Sequence, residues 1–88
     1  MIEKSIKIEN KTGLHARPAA LLVKVAGKYK SDIILSKDGY EVNGKSIMGV
    51  MTLGAESGST ILIRVQGEDE SEAMKALEEL MINKFYED

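Results

Sequence analysis

Six consecutive residues, Gly13-Leu14-His15-Ala16-Arg17-Pro18, gather the chain's single histidine, its single proline and one of its two arginines. Proline fits the first turn of a helix, where its missing N–H costs no hydrogen bond. Thr12 to Arg17 therefore reads as a turn entering a helix. His15 then lies beside the unpaired amides and the positive end of the helix dipole. Backbone donors, a permanent cation in Arg17 and a nitrogen nucleophile at one point describe an anion site. Imidazole is largely neutral near pH 7 and can attack phosphorus and later leave. The chemistry suggested is a phosphoryl group carried on His15. Spacing alone also allows a solvated histidine that does no more than begin a helix.

The elements that must hold this stretch can be read from periodicity. In Met1–Glu9, Ile2, Ile6 and Ile8 share one face opposite Glu3, Ser5 and Lys7, as in a strand. Asn10-Lys11-Thr12-Gly13 is a polar turn that delivers the chain to His15. From Pro18 to Lys28, Leu21, Leu22, Val25 and Ala26 recur at helical spacing, with Gly27 near the end. Asp32–Ser36 and Tyr40–Val42 flank Asp38-Gly39, a pair that favours a hairpin turn. Ser46 is a good N-cap for a short helix over Ile47–Met51, closed by Gly54. Thr60–Val65 is a strand rich in β-branched residues. Asp69–Tyr86 reads as a long helix, acidic in its first turn and basic at Lys84, with Ala73, Met74, Leu77, Leu80, Met81 and Phe85 as its apolar stripe. This order predicts an α+β fold, an antiparallel sheet with helices on one face.

Composition narrows the function classes. Eighty-eight residues predict one domain over positions 1–88 with a modest core. A formal charge of −2 argues against direct nucleic-acid binding, which normally needs a basic excess. The absence of cysteine excludes a thiolate zinc site, and a single histidine excludes a histidine-rich one, so no metal and no cofactor is expected. No apolar run approaches membrane-spanning length and the first residues lack a signal-like apolar region. With the missing disulfides, this predicts a cytoplasmic protein that does not insert in membranes.

Gly13-Leu14-His15-Ala16-Arg17-Pro18-Ala19 resembles the active-site loop of the HPr family, the histidine-containing phosphocarriers of the bacterial phosphoenolpyruvate:sugar phosphotransferase system. Lys45-Ser46-Ile47-Met48-Gly49-Val50-Met51 and Leu53-Gly54 resemble that family's second signature at the expected distance, so the likeness spans the chain. The resemblance implies an open-faced β-sandwich with a four-stranded antiparallel sheet and three helices on one face. It implies that His15 accepts a phosphoryl group on Nδ1 from phosphorylated enzyme I and donates it to sugar-specific enzyme IIA domains. Such a protein is a monomeric carrier with a phosphohistidine intermediate rather than a stand-alone enzyme. Arg17 and the Ala16 amide would stabilise the phosphoryl oxygens. Docking to partners would fall to Met48 and Met51 first, then Ile47 and Ala20, with Lys24 steering acidic partners.

Ser46 needs no role beyond capping on its own chemistry. The resemblance adds one, because in many Gram-positive relatives the matching serine is phosphorylated by HPr kinase/phosphorylase and then recruits a catabolite-control repressor of transcription. Ala16 and the residues around Ser46 are similar to that branch, whereas Tyr40-Glu41 departs from it at the hairpin tip. Two rivals within the family, a regulatory paralogue without phosphate transfer and a nitrogen-regulatory carrier, are disfavoured by the presence of His15 and by the Ser46 flanks.

A rival from another class is a nucleotide hydrolase. Gly39 to Ser46 fits the phosphate-loop pattern G-x-x-x-x-G-K-[ST]. That pattern matters only where a loop joins a strand to a substantial helix. Tyr40–Val42 reads as strand and the following helix as one or two turns, so the match is expected to be accidental. In that short helix not all of Ile47, Met48, Val50 and Met51 can be buried; Ile47 and Val50 are the better core candidates, and the methionines suit a surface that repacks against several partners. The acidic pairs, Glu78-Glu79 and Glu68-Asp69-Glu70, are explained by solvation and dipole complementarity.

Overall fold

The computed structural model describes residues 1–86. Its elements run β1 (Ile2–Lys7), α1 (Ala16–Ala26), β2 (Asp32–Lys37), β3 (Tyr40–Asn43), α2 (Ile47–Thr52), β4 (Thr60–Gln66) and α3 (Glu70–Ile82), followed by a single turn at Lys84–Tyr86. The four strands form one antiparallel sheet in the order β1-β4-β2-β3. The strand made last is therefore a central one. β4 pairs with β1 from Ile2↔Val65 to Lys7↔Thr60 and with β2 from Asp32↔Gln66 to Ser36↔Leu62.

Alternation along the strands sends one set of side chains under the helices. Ile61, Ile63 and Val65 of β4, Ile33 and Leu35 of β2 and Val42 of β3 are buried. Leu22 and Ala26 of α1, Val50 of α2 and Met74, Leu77 and Met81 of α3 close over them. The result is an α+β open-faced sandwich, as expected. The opposite face stays open, and Arg64 reaches across β2 to Glu41 at 2.7 Å there. Lys4 shares the inner face with Ile2 and Ile6, and its ammonium pairs with Glu78 of α3 at 2.8 Å.

The hairpin turn forms as its sequence demands. Asp38 and Gly39 have φ of 52° and 82°, the two positive values of a tight hairpin turn that Asp-Gly accommodates. α1 begins two residues before the expected Pro18. The His15 carbonyl accepts the Ala19 amide at 2.9 Å, so His15 is the N-cap and Ala16 already belongs to the helix. Pro18 keeps its place in the first turn, where no intrahelical N–H bond is lost.

The far end of α3 needs a correction. The helix stops at Ile82 rather than Tyr86, and Lys84 lies outside it. The Asn83 amide and its side-chain Nδ2 both donate to the Glu79 carbonyl, at 3.1 and 2.8 Å, which satisfies the helix end. Lys84, Phe85 and Tyr86 then turn left-handed with φ of 52°, 56° and 56°. Each such non-glycine residue costs roughly 1–2 kcal/mol. Burial of Phe85 against the core offsets part of that cost.

Asp69 precedes α3, yet its carboxylate does not cap the helix. It accepts the Ser31 hydroxyl and the amides of Lys30 and Ser31, the amides at 2.8 and 2.9 Å, tying α3 to the start of β2. The Ser31 hydroxyl first, then the Lys30 amide, hold the Asp69 carboxyl below its ordinary value of 3.8. A carboxyl depressed in the native state adds stability that is complete above the unfolded value and lost as pH falls through the native one. Asp69→Asn is therefore expected to weaken the fold at neutral pH and to flatten the acid limb of its stability curve below about pH 4. Urea unfolding at a series of pH values reads this directly; parallel curves for the two proteins would contradict it.

Candidate phosphoryl-acceptor site

His15 is exposed at the N-terminus of α1, and its side chain makes no capping hydrogen bond. Its extended backbone, φ −71° and ψ −176°, is what an N-cap requires. Because Ala19 makes the first intrahelical bond and Pro18 has no N–H, the amides of Ala16 and Arg17 are left without an acceptor in the helix. They lie in the turn that follows the imidazole. The first turn of α1 contains no acidic residue and carries Arg17, exposed, in its place. That inverts the usual arrangement, since a helix N-terminus favours negative charge.

The loop leading to His15 is pinned to the loop after α2. Leu14 is buried, and its amide donates to the Ala55 carbonyl at 2.9 Å. Gly13 has φ of +63°, and a Cβ there would fall 2.5 Å from the Ala55 oxygen and 2.9 Å from Glu56 Cα. Only glycine fits that approach. A segment some forty residues away in sequence thus sets where the histidine stands.

Ser46 caps α2 as expected: its hydroxyl accepts the Gly49 amide at 3.1 Å. Lys45 is not a free cation beside it, because its ammonium donates to the Tyr29 carbonyl at 2.7 Å and links the β3–α2 turn to the end of α1. α2 is six residues long and packs beside α1. Val50 is fully buried beneath it, whereas Met48 is 72% exposed, Met51 43% and Ile47 41%. Ile47 is therefore a surface residue and not part of the core. Ala20 and Lys24 are exposed on α1, four and eight residues past Ala16 and so on one side of that helix.

The phosphate-loop match does not form a phosphate loop. Tyr40–Asn43 is strand β3, and a six-residue helix follows the Gly-Lys-Ser triplet. Among the described residues no helix is long and apolar enough to cross a membrane. Sequence reasoning missed the role of Asn10, which is only 1% exposed and donates through Nδ2 to the Gly13 carbonyl at 2.7 Å. The only signal is an amide residue two positions past the apolar Ile8, and nothing in the sequence shows that it is buried.

An open-faced sandwich with a histidine capping its first helix defines the HPr-like class of proteins. The sequence model of the family described as the PTS HPr component phosphorylation site matches residues 2–83, and the chain belongs to that family, the phosphocarriers of the phosphotransferase system. It is 52% identical over 88 residues to the phosphocarrier protein HPr of Xylella fastidiosa, covering 100% of this chain and 99% of that one. It is 54% identical over 77 residues to the HPr-like protein Crh of Halalkalibacterium halodurans, covering 88% and 92%. The crystal structure of HPr-C-His from Thermoanaerobacter tengcongensis superposes with a TM-score of 0.97 at 52% identity, over 100% of this chain and 99% of that one.

Proposed function

We propose that His15 is the residue that carries the phosphoryl group, taking it from phosphorylated enzyme I and passing it to enzyme IIA domains of the sugar uptake system. The observation that supports this most is the exposed imidazole at a helix terminus where the neighbouring amides and Arg17 offer positive potential and the first turn holds no acidic residue. The imidazole Nδ1 attacks phosphorus as the N–P bond to the donor's histidine breaks, so the group moves between two imidazoles and no water or metal enters. Arg17 and the Ala16 amide meet charge that develops on the equatorial oxygens. Their exposure keeps the ground state from being held too tightly, which a carrier requires. Phosphoenolpyruvate and enzyme I, supplied with the protein and followed by mapping of the acid-labile phosphate, test the assignment. Phosphate on any residue other than His15 would overturn it.

The partners dock on the exposed side of α2, through Met48, Met51 and Ile47, together with Ala20 and Lys24 of α1. Unbranched methionines repack readily, which fits one surface serving several partners in turn. The protein works in the cytoplasm as a monomer, although an HPr dimer from Thermoanaerobacter tengcongensis shows that a relative can pair.

Ser46 is a regulatory phosphorylation site for HPr kinase/phosphorylase, with a catabolite-control transcription repressor as the partner the phosphate recruits. The 47% identity to Crh, the catabolite repression HPr of Bacillus subtilis, supports a regulatory reading of the chain. A phosphate there adds about −1.5 to −2 charge at the start of α2, where dipole and amides favour an anion, so the fold survives. Its effect falls on docking, because a dianion now borders the apolar patch. Ser46→Asp is expected to raise the enzyme I concentration needed for half-maximal transfer while leaving the saturated rate nearly unchanged. Ser46→Ala is expected to transfer normally but lose about 1 kcal/mol of stability with its cap. Enzyme I kinetics on the three proteins decide the point. Identical KM values for wild type and Ser46→Asp would leave Ser46 a helix cap only.

A further inference from the structure

We propose that Asn10 is a positioning residue for phosphoryl transfer: its buried amide clamps the Gly13 carbonyl and thereby fixes the imidazole of His15. The inference rests on His15 being the acceptor. Asn10 lies at the far end of the loop from His15 and is 1% exposed. An amide side chain is costly to bury unless it is hydrogen-bonded, and an alanine in the same place would carry no such cost. The bond it makes is short, Nδ2 to the Gly13 oxygen at 2.7 Å, and the Gly13 amide donates back to the Asn10 carbonyl at 3.2 Å. The two bonds close residues 10–13 into a fixed turn.

That turn is held on both sides. Before it, the Ile8 amide donates to the Ser59 carbonyl and the Gly58 amide donates to the Ile8 carbonyl, both at 2.7 Å. After it, the Leu14 amide donates to the Ala55 carbonyl. Between these anchors, the Asn10 side chain fixes the loop from within. His15 has no side-chain capping bond of its own, so its place is inherited from this backbone. In phosphoryl transfer the protein contributes mainly positioning, and a misplacement of about 1 Å can cost on the order of 10² in rate. Asn10 is buried and lies outside the exposed patch on α2, so its loss is expected in the transfer step and not in docking.

The test uses Asn10→Ala and Asn10→Asp as phosphoryl acceptors from enzyme I, with Ile63→Val, in the sheet, as a control for lost stability. Asn10→Asp keeps the shape but sets an oxygen against the Gly13 oxygen. Both Asn10 variants are expected to be folded by circular dichroism and to show kcat lowered about tenfold or more, with KM for the carrier within twofold of wild type. The amides of Gly13 and Leu14 are expected to exchange faster with solvent in both. Ile63→Val is expected to keep the wild-type kcat. Wild-type kcat in both Asn10 variants would overturn the proposal, as would an equal loss in the control. Failure of the underlying assignment has a different signature, phosphate on a residue other than His15 in the unmodified protein.

Discussion

Replacing His15 with alanine is expected to abolish phosphoryl transfer and leave the fold standing. The imidazole is the only group in the chain with its chemistry, and a covalent carrier without its nucleophile has no slower route to fall back on. The side chain is exposed and makes no capping bond, so little native packing is lost with it. The Ala19 amide keeps its bond to the backbone carbonyl at position 15, so α1 begins where it did. Stability is expected to change by no more than about 0.5 kcal/mol, as for surface substitutions in general. Labelling with phosphoenolpyruvate and enzyme I reads the first half, and circular dichroism with urea unfolding reads the second. Label on the variant at the wild-type rate would remove His15 from its role. Loss of the native spectrum would show that the residue is structural instead.

Arg17→Ala is expected to lower the transfer rate by on the order of 10²–10³, the cost of removing one group aimed at developing charge. Its effect on stability is expected to have the opposite sign. Arg17 places a cation in the first turn of α1, against the helix dipole, and nothing acidic there compensates. Removing it relieves a repulsion of about 0.3–1 kcal/mol at low salt, so the unphosphorylated variant unfolds at slightly higher urea. Arg17→Lys keeps the charge but not the planar fork of donors, and it is expected to fall between the two proteins in rate. Rate loss joined to a small gain in stability is the signature of a residue kept for chemistry. A variant that transfers normally would make Arg17 a solvated surface residue.

Features decided within a few residues were legible in the sequence. Pro18 and the apolar spacing after it announce a helix, and His15 stands at its entrance. Asp38-Gly39 announced the hairpin because both residues accept positive φ. Ser46 reads as a cap from its type and place, and its hydroxyl meets the Gly49 amide. The exposure of Met48 and Met51 followed from simple geometry, since a helix of two turns has too little inward surface for four apolar residues. Ile47 is not decided by the sequence, because periodicity in so short a helix does not say which flank faces the neighbouring α1.

What only the tertiary structure decided depends on contacts between distant residues. No local pattern states that β4 enters the sheet between β1 and β2, since its Ile61, Ile63 and Val65 would alternate in the same way at an edge. The stripe of α3 could have continued through Phe85 as helix. Instead the chain reverses left-handed, and burial of that ring offsets part of the backbone cost. Gly13 is needed because the Ala55 oxygen comes within reach of its missing Cβ, and Asn10 is buried in a turn whose flanks, Ile8 and Leu14, are bonded to the loop from Ala55 to Ser59. The sequence by itself determined which group could do the chemistry and which helix would present it, because residue type and short-range sterics settle both. The tertiary structure alone determined where that group is held, because its supports come from a segment forty residues further along the chain.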